Sequence, residues 1–182
     1  MYLRSNRFPP VTKPLLIDPA VEDHQTLMAG LVPGTQAVLL DAKRDGIEQI
    51  SETLQNYSQL QSIHIIAHGS PGCIYLGNSV LNRHTLPRYQ KQLQGWQSAL
   101  AEDADILLYG CRVAGVTRNA SFLEKLATFT QANIAASTSN RQSRARWQLE
   151  LGSTGGKCYF PVGTDRSCSA KLCCHFGTKH YQ

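Results

Sequence analysis

The sequence predicts an α/β fold, with a largely parallel sheet and helices on both of its faces. Three observations lead there. Short apolar or β-branched runs recur and close on turn-forming or reactive residues: 15–17 before Asp18-Pro19, 37–40 before Asp41, 62–67 before His68-Gly69, 106–109 before Gly110-Cys111, and 133–137. Stretches of helical spacing separate most of them, and that alternation demands parallel strands joined by crossovers. The chain has 182 residues, of which 42% are hydrophobic, enough for one domain with its own core.

Taken in order, Leu15-Leu16-Ile17 reads as a strand that delivers Asp18 to its carboxyl end. Val21, His24, Leu27, Met28 and Leu31 have helix-compatible spacing, and Pro33-Gly34 breaks the chain after them. Ala37-Val38-Leu39-Leu40 reads as a second buried strand. Asp45-Gly46 is a turn, and Asp45 is placed to cap a helix carrying Ile47, Ile50, Leu54 and Tyr57. The third strand leads into His68. Gly77-Asn78 then reads as the turn of a small hairpin. A helix starting near Asn82 or Thr85 carries Tyr89, Leu93, Trp96 and Leu100, with Pro87 in its first turn. The fourth main strand, Ile106–Tyr109, delivers Cys111; a helix over Ser121–Thr130 and a fifth strand over Asn133–Ser137 follow. Trp147–Leu151 alternates as a half-exposed edge strand does, and beyond Gly152 only Tyr159–Val162 suggests structure. The expected organisation is a flexible lead-in over 1–13, one α/β domain over 14–152, and a mobile Cys-rich tail over 153–182.

Composition narrows the function classes. No apolar run approaches the roughly 20 residues of a membrane-spanning helix. Met1–Pro10 lacks the apolar segment of a signal peptide. As it stands the chain reads as cytoplasmic; it would be secreted or at the cell surface as part of a larger protein. The net charge is +5, but the basic residues are scattered, with Arg141, Arg144 and Arg146 the densest group. A mildly basic surface is the simpler reading than a nucleic-acid partner. Cys73 and Cys111 lie in the body, whereas Cys158, Cys168, Cys173 and Cys174 lie near the end, so no disulfide framework spans the chain. Cys168, Cys173, Cys174 and His175 lack the paired spacing of a zinc site. No metal or cofactor is expected.

The chemistry-bearing residues stand at strand ends. If the strands that precede them are parallel neighbours, His68 and Cys111 emerge at one edge of the sheet, where open α/β sheets place their sites. A thiol beside an imidazole is a nucleophile with its base. Gly69 and Gly110 allow sharp turns there, and the amides of Gly69 and Cys111 are candidate donors to an oxyanion. Asp18 ends a strand at the same edge. A buried structural cysteine is the plain alternative for Cys111. Cys73 is a weaker rival nucleophile, because it opens a hairpin strand. His64, inside its strand, reads as core or interface.

At these residues the chain resembles a known group. A strand ending in His68-Gly69 and a later strand ending in Gly110-Cys111 are similar to the arrangement of the caspase-like cysteine peptidases, among them caspases, metacaspases, separases and gingipains. More closely, Leu16-Ile17-Asp18, Leu40-Asp41, residues 44–50, residues 64–72, Leu76-Gly77-Asn78, residues 105–111 and Trp147-Gln148-Leu149-Glu150 resemble a bacterial domain of unknown function catalogued as family 4347, met in very large surface or secreted repeat proteins. The resemblance implies a caspase-like three-layer α/β/α sandwich with a mostly parallel sheet and a small hairpin after the third strand. It implies His68 as general base and Cys111 as nucleophile. Asp18 occupies the place of an acidic residue that binds a basic side chain before the scissile bond, which implies cleavage after Arg or Lys.

Two departures stand out. Metacaspases carry an Asp two residues before the cysteine, where this chain has Tyr109. A Gly-rich approach to the Trp-Gln-Leu-Glu strand is replaced by Asn140–Arg146, whose arginines are candidate self-cleavage sites. The leading expectation is a cysteine endopeptidase acting on a peptide or protein, its own chain included. The alternative is a catalytically silent binding or assembly module that keeps the fold. The sequence does not assign an oligomeric state.

Overall fold

A computed structural model describes residues 13–22, 24–31, 35–114, 120–137 and 158–159. Strand β1 (Lys13–Ile17) is followed by helix α1 (His24–Ala29), β2 (Thr35–Leu39), α2 (Gly46–Leu54) and β3 (Leu60–Ile66). Three short strands come next, β4 (Gly69–Ser70), β5 (Cys73–Leu76) and β6 (Ser79–Asn82). Then follow α3 (Gln90–Gly95), β7 (Leu100–Tyr109), α4 (Ala120–Thr130), β8 (Asn133–Ser137) and β9 (Cys158–Tyr159).

The main sheet has the order β2-β1-β3-β7-β8-β9. Its first five strands are parallel, and β9 runs antiparallel to β8. Strands β4, β5 and β6 form a separate antiparallel sheet. The whole is an α/β fold of three layers.

The handedness of crossovers explains which helix lies where. From β1 the chain steps one way to β2; the crossovers into β3, β7 and β8 all step the other way. Right-handed connections place helices of opposite steps on opposite faces. Accordingly Ile47, Ile50 and Leu54 of α2, Leu93 of α3 and Phe122, Leu123 and Leu126 of α4 share one core with Leu16, Ile63, Ile65, Ile106, Leu108 and Ile134. On the other face Leu27 of α1 packs on a smaller core of Leu15, Ile17, Val21 and Ile66, which Tyr109 also joins. Alternation over the end of β3 sends Ile63 and Ile65 to the larger core and Ile66 to the smaller one.

Three local differences from the sequence reading have physical reasons. Residues 37–40 were expected in a buried strand, but β2 is an edge strand and Leu39 is 44% exposed; Leu40, just past it, is buried. The helix expected to carry Leu100 is a 3-10 turn (Leu86–Tyr89), the short α3, and a second 3-10 turn (Trp96–Ser98). Trp96 is anchored there by donating its indole N–H to Ser51 Oγ at 2.8 Å, and Leu60 donates its N–H to Ala99 O, so Leu100 enters β7 instead. Strand β7 therefore starts earlier than expected. Its register on β3 jumps between Leu60 and Ser62, and Asp103 in the excess segment has φ 64°. Trp147–Leu151 lies outside the described residues; Cys158–Tyr159, at the start of the Tyr159–Val162 stretch that suggests structure in the sequence, pairs with β8.

The hairpin is docked on the start of α2. Asp45 caps that helix, accepting from the N–H groups of Ile47 and Glu48, and also accepts the hydroxyl of Tyr89 at 2.7 Å. Gly46 donates its N–H to Ser79 Oγ at 3.1 Å, and a Cβ on Gly46 would overlap Leu76. Gln49 accepts from Asp41 N–H at 2.7 Å and donates to Asp41 O at 3.0 Å, closing the intervening loop. Substituting Gly46→Ala is therefore expected to overpack this joint and cost about 1–3 kcal/mol in urea denaturation, with an unchanged m-value. A variant as stable as the wild type would mean that the hairpin is not clamped to α2.

Candidate active site

The site is built by three loops at the carboxyl edge of the sheet, after β1, β3 and β7. Strand β1 sits at the topological switch: the chain leaves it for β2 on one side and returns to β3 on the other. Loops at such a point diverge and open a crevice. Ile66 and Tyr109 are the last paired residues of β3 and β7, and Ala67 N–H still donates to Tyr109 O at 3.2 Å. His68 and Cys111 each stand two residues beyond that pair.

The turns carrying them touch because their glycines have no side chains. A Cβ on Gly110 would lie 2.8 Å from Val113 Cγ2 and 3.4 Å from Gly69 Cα. A Cβ on Gly69 would lie 2.6 Å from Val113 Cγ2 and 3.3 Å from the amide nitrogen of Cys111. Val113 is fully buried between them, and its carbonyl accepts from Gly72 N–H at 2.9 Å. Arg112 takes up the sharp turn after the cysteine with φ 52°. The Cys111 amide thus lies against Gly69, 3.3 Å from where a Cβ on that glycine would be.

His68 is half-buried, and its Nε2 lies 3.0 Å from the carbonyl oxygen of Ala20. A carbonyl can only accept, so Nε2 carries the proton. In the neutral imidazole Nδ1 is then left with a free lone pair, the form needed to take a proton. Cys111 is a free, half-buried thiol. Cys73 is also free and half-buried, and its carbonyl lies 3.2 Å from where a Cβ on Gly69 would be, the same position that the Cys111 amide approaches.

Asp18 lies at the same edge but is only 4% exposed. One carboxylate oxygen accepts the Ala20 N–H at 2.9 Å, and the other accepts the Gly77 N–H at 2.6 Å. Its own N–H donates to Ile66 O at 2.8 Å. Among the described residues no Lys or Arg forms an ion pair with it. The backbone contacts of Ala20 and Gly77 have no counterpart in the sequence reading. Their one legible signal was the Gly77-Asn78 turn, where Gly77 has φ 56°.

Beneath the site, on the face of the smaller core, His64 and Tyr109 stack with ring centroids 5.8 Å apart. His64 Nδ1 is 3.0 Å from the Tyr109 hydroxyl, and Nε2 is 3.1 Å from Ser62 Oγ. His64 is 4% exposed. Burial, aided by the charge of Lys13, pulls its pKa down to about 4. The residue two before Cys111 is therefore an uncharged ring tied to an uncharged imidazole.

Cys168, Cys173, Cys174, His175, Arg141, Arg144 and Arg146 lie outside the described residues. Among the described residues no cluster of three or more His, Cys, Asp and Glu could hold a metal ion. Nor is any described helix long and apolar enough to cross a membrane.

The titration of His64 has a consequence for stability. Between its ordinary value of 6.5 and about 4, the unfolded chain binds a proton that the folded chain refuses. The contribution is complete above the upper value and is lost as pH falls to the lower one, on the order of 3 kcal/mol in all. Urea denaturation across that window is expected to show a steeper acid loss in wild type than in His64→Phe, which keeps the stacking but cannot titrate. Equal slopes would contradict a neutral buried His64.

A family model described as a domain of unknown function (DUF4347) matches residues 15–165. No curated protein and no solved structure matches the chain. The family match takes in every strand of the main sheet but the first residues of β1, together with all three loops of the site; the chain belongs to the DUF4347 family.

Proposed function

We propose that this domain is a caspase-like cysteine endopeptidase working through a Cys111–His68 dyad. The observation that carries the reading is the parallel register of β3 and β7, which ends with Ile66 opposite Tyr109 and leaves His68 and Cys111 at equivalent positions on touching turns. In the proposed reaction Nδ1 of His68 takes the thiol proton of Cys111. The thiolate attacks the scissile carbonyl, and the oxyanion meets the amides of Gly69 and Cys111. The C–N bond breaks as His68 returns the proton to the leaving amine. Water, activated by the same imidazole, then releases the acyl group from Cys111. No metal or cofactor enters this scheme. The substrate is a peptide or protein, and self-cleavage at the Arg141, Arg144 or Arg146 positions belongs to the same proposal.

A preference for a basic residue before the scissile bond rides on Asp18. Its buried carboxylate already serves two backbone N–H groups, so a basic side chain would have to share those oxygens through their remaining lone pairs. The charge-neutral Tyr109–His64 pair adds nothing to such a preference.

The test is irreversible labelling of the purified chain by a peptidyl electrophile, read by intact mass and peptide mapping. An arginyl probe and a norleucyl probe are compared on wild type, Cys111→Ala and His68→Ala. The expected result is labelling at Cys111, slowed by about 100-fold or more in His68→Ala. A faster arginyl probe would support the basic preference. Slow labelling spread over several cysteines and indifferent to His68 would favour a catalytically silent binding or assembly module.

A further inference from the structure

We infer that Asp18 is a positioning residue for the general base, acting through the backbone of Ala20. This deepens the proposed function and rests on its assignment of His68. Three contacts form one chain. The Asp18 carboxylate holds the Ala20 N–H at 2.9 Å; the next peptide group along presents the Ala20 carbonyl, which holds His68 Nε2 at 3.0 Å. The second carboxylate oxygen holds the Gly77 N–H at 2.6 Å, so the hairpin turn braces the arrangement from the opposite side.

Ala20 itself is exposed and makes no apolar anchor for its loop. The loop is instead fixed by Asp18, by the Asp18 N–H to Ile66 O bond, and by Val21, whose N–H donates to Asp18 O at 3.1 Å and whose side chain is 6% exposed. Ile66 lies two residues before His68, so β1 and β3 are locked together just below the imidazole. The carbonyl is thereby aimed by a charge-assisted bond that water cannot easily compete with. Its chemical effect is on the tautomer. A carbonyl at Nε2 keeps the proton there and the lone pair on Nδ1. Releasing the loop would let both tautomers and several ring orientations populate, and only one of them leaves a basic nitrogen at the fixed position.

Gly77 gives the same carboxylate a second role. The turn between β5 and β6 has its own register with α2 through the Asp45–Gly77 bridge and the bond from Asn78 N–H to Arg44 O at 3.0 Å. Asp18 thus links the docked hairpin and the α2 start to the orientation of His68.

The test reads the ring directly. Two-bond proton–nitrogen NMR correlations of His68 are recorded on nitrogen-labelled full-length wild type, Asp18→Asn and Asp18→Ala, beside the rate at which Cys111 takes up the peptidyl electrophile. Wild type is expected to show the Nε2–H tautomer alone. Asp18→Ala is expected to show mixed tautomers and labelling slowed about 100-fold. Asp18→Asn keeps one accepting oxygen and the shape of the side chain, so it is expected to fall between them; it also serves if the alanine variant does not fold. A folded Asp18→Asn or Asp18→Ala protein with an unchanged tautomer and unchanged labelling would overturn the inference. A purely structural Asp18 would lower stability without moving the tautomer. If wild type itself fails to label, the peptidase reading falls, while the tautomer measurement still decides the role of Asp18.

Discussion

Strand β3 lies at the middle of everything this chain arranges, and its parallel pairing with β7 is the constraint on which the site depends. Ile63, Ile65, Ile106 and Leu108 fill the large core from these two strands, while His64, Ile66 and Tyr109 face the smaller one. A slip of one residue in that pairing would send every side chain of a strand to the wrong core. Burial on both faces therefore fixes the register, and the register carries past the last pair into the turns. His68 and Cys111 inherit their positions from hydrophobic packing several residues away. Gly69, Gly110 and Val113 then remove the remaining freedom by letting the turns close on each other.

The layers follow from handedness, and they also decide the asymmetry of the site. Three crossovers of one sense put α2, α3 and α4 on one face, with the hairpin packed beside them. The single reversed step puts α1 on the other. The loop after β1 belongs to the reversed step, so it crosses the edge at the point where His68 emerges. Asp18 points its carboxylate toward the hairpin and the following peptide groups turn back toward the imidazole. One short loop thus joins the two faces of the sheet at the place where the chemistry is proposed.

Much of this was legible in the residues. The apolar runs closing at Gly69 and Gly110 marked the strand ends, and Asp45 marked the start of α2 because a carboxylate before a helical stripe has a known task. Other features leave no such trace. Ala37-Val38-Leu39-Leu40 reads the same at the edge of a sheet as at its centre, and only topology exposes Leu39. Leu100 fits the helical spacing of Trp96 and Leu93, but the Leu60 N–H claims the Ala99 carbonyl and turns the chain into β7. Asp18 was legible as a strand-end carboxylate, whereas its partners are the peptide N–H groups of Ala20 and Gly77. Backbone groups belong to every residue, so no side-chain pattern could announce them. The same holds for the Ala20 carbonyl at His68, the contact that selects the tautomer.

The central claim is that a basic nitrogen of His68 meets the sulfur of Cys111. The most direct measurement is cross-linking with dibromoacetone, which alkylates a thiol first and then a second nucleophile within reach of its short arm. Peptide mapping of the treated full-length protein is predicted to find Cys111 bridged to Nδ1 of His68, because Nε2 is occupied by the Ala20 carbonyl. Cys111 alkylated but unbridged, or bridged to Cys73 instead, would contradict the account.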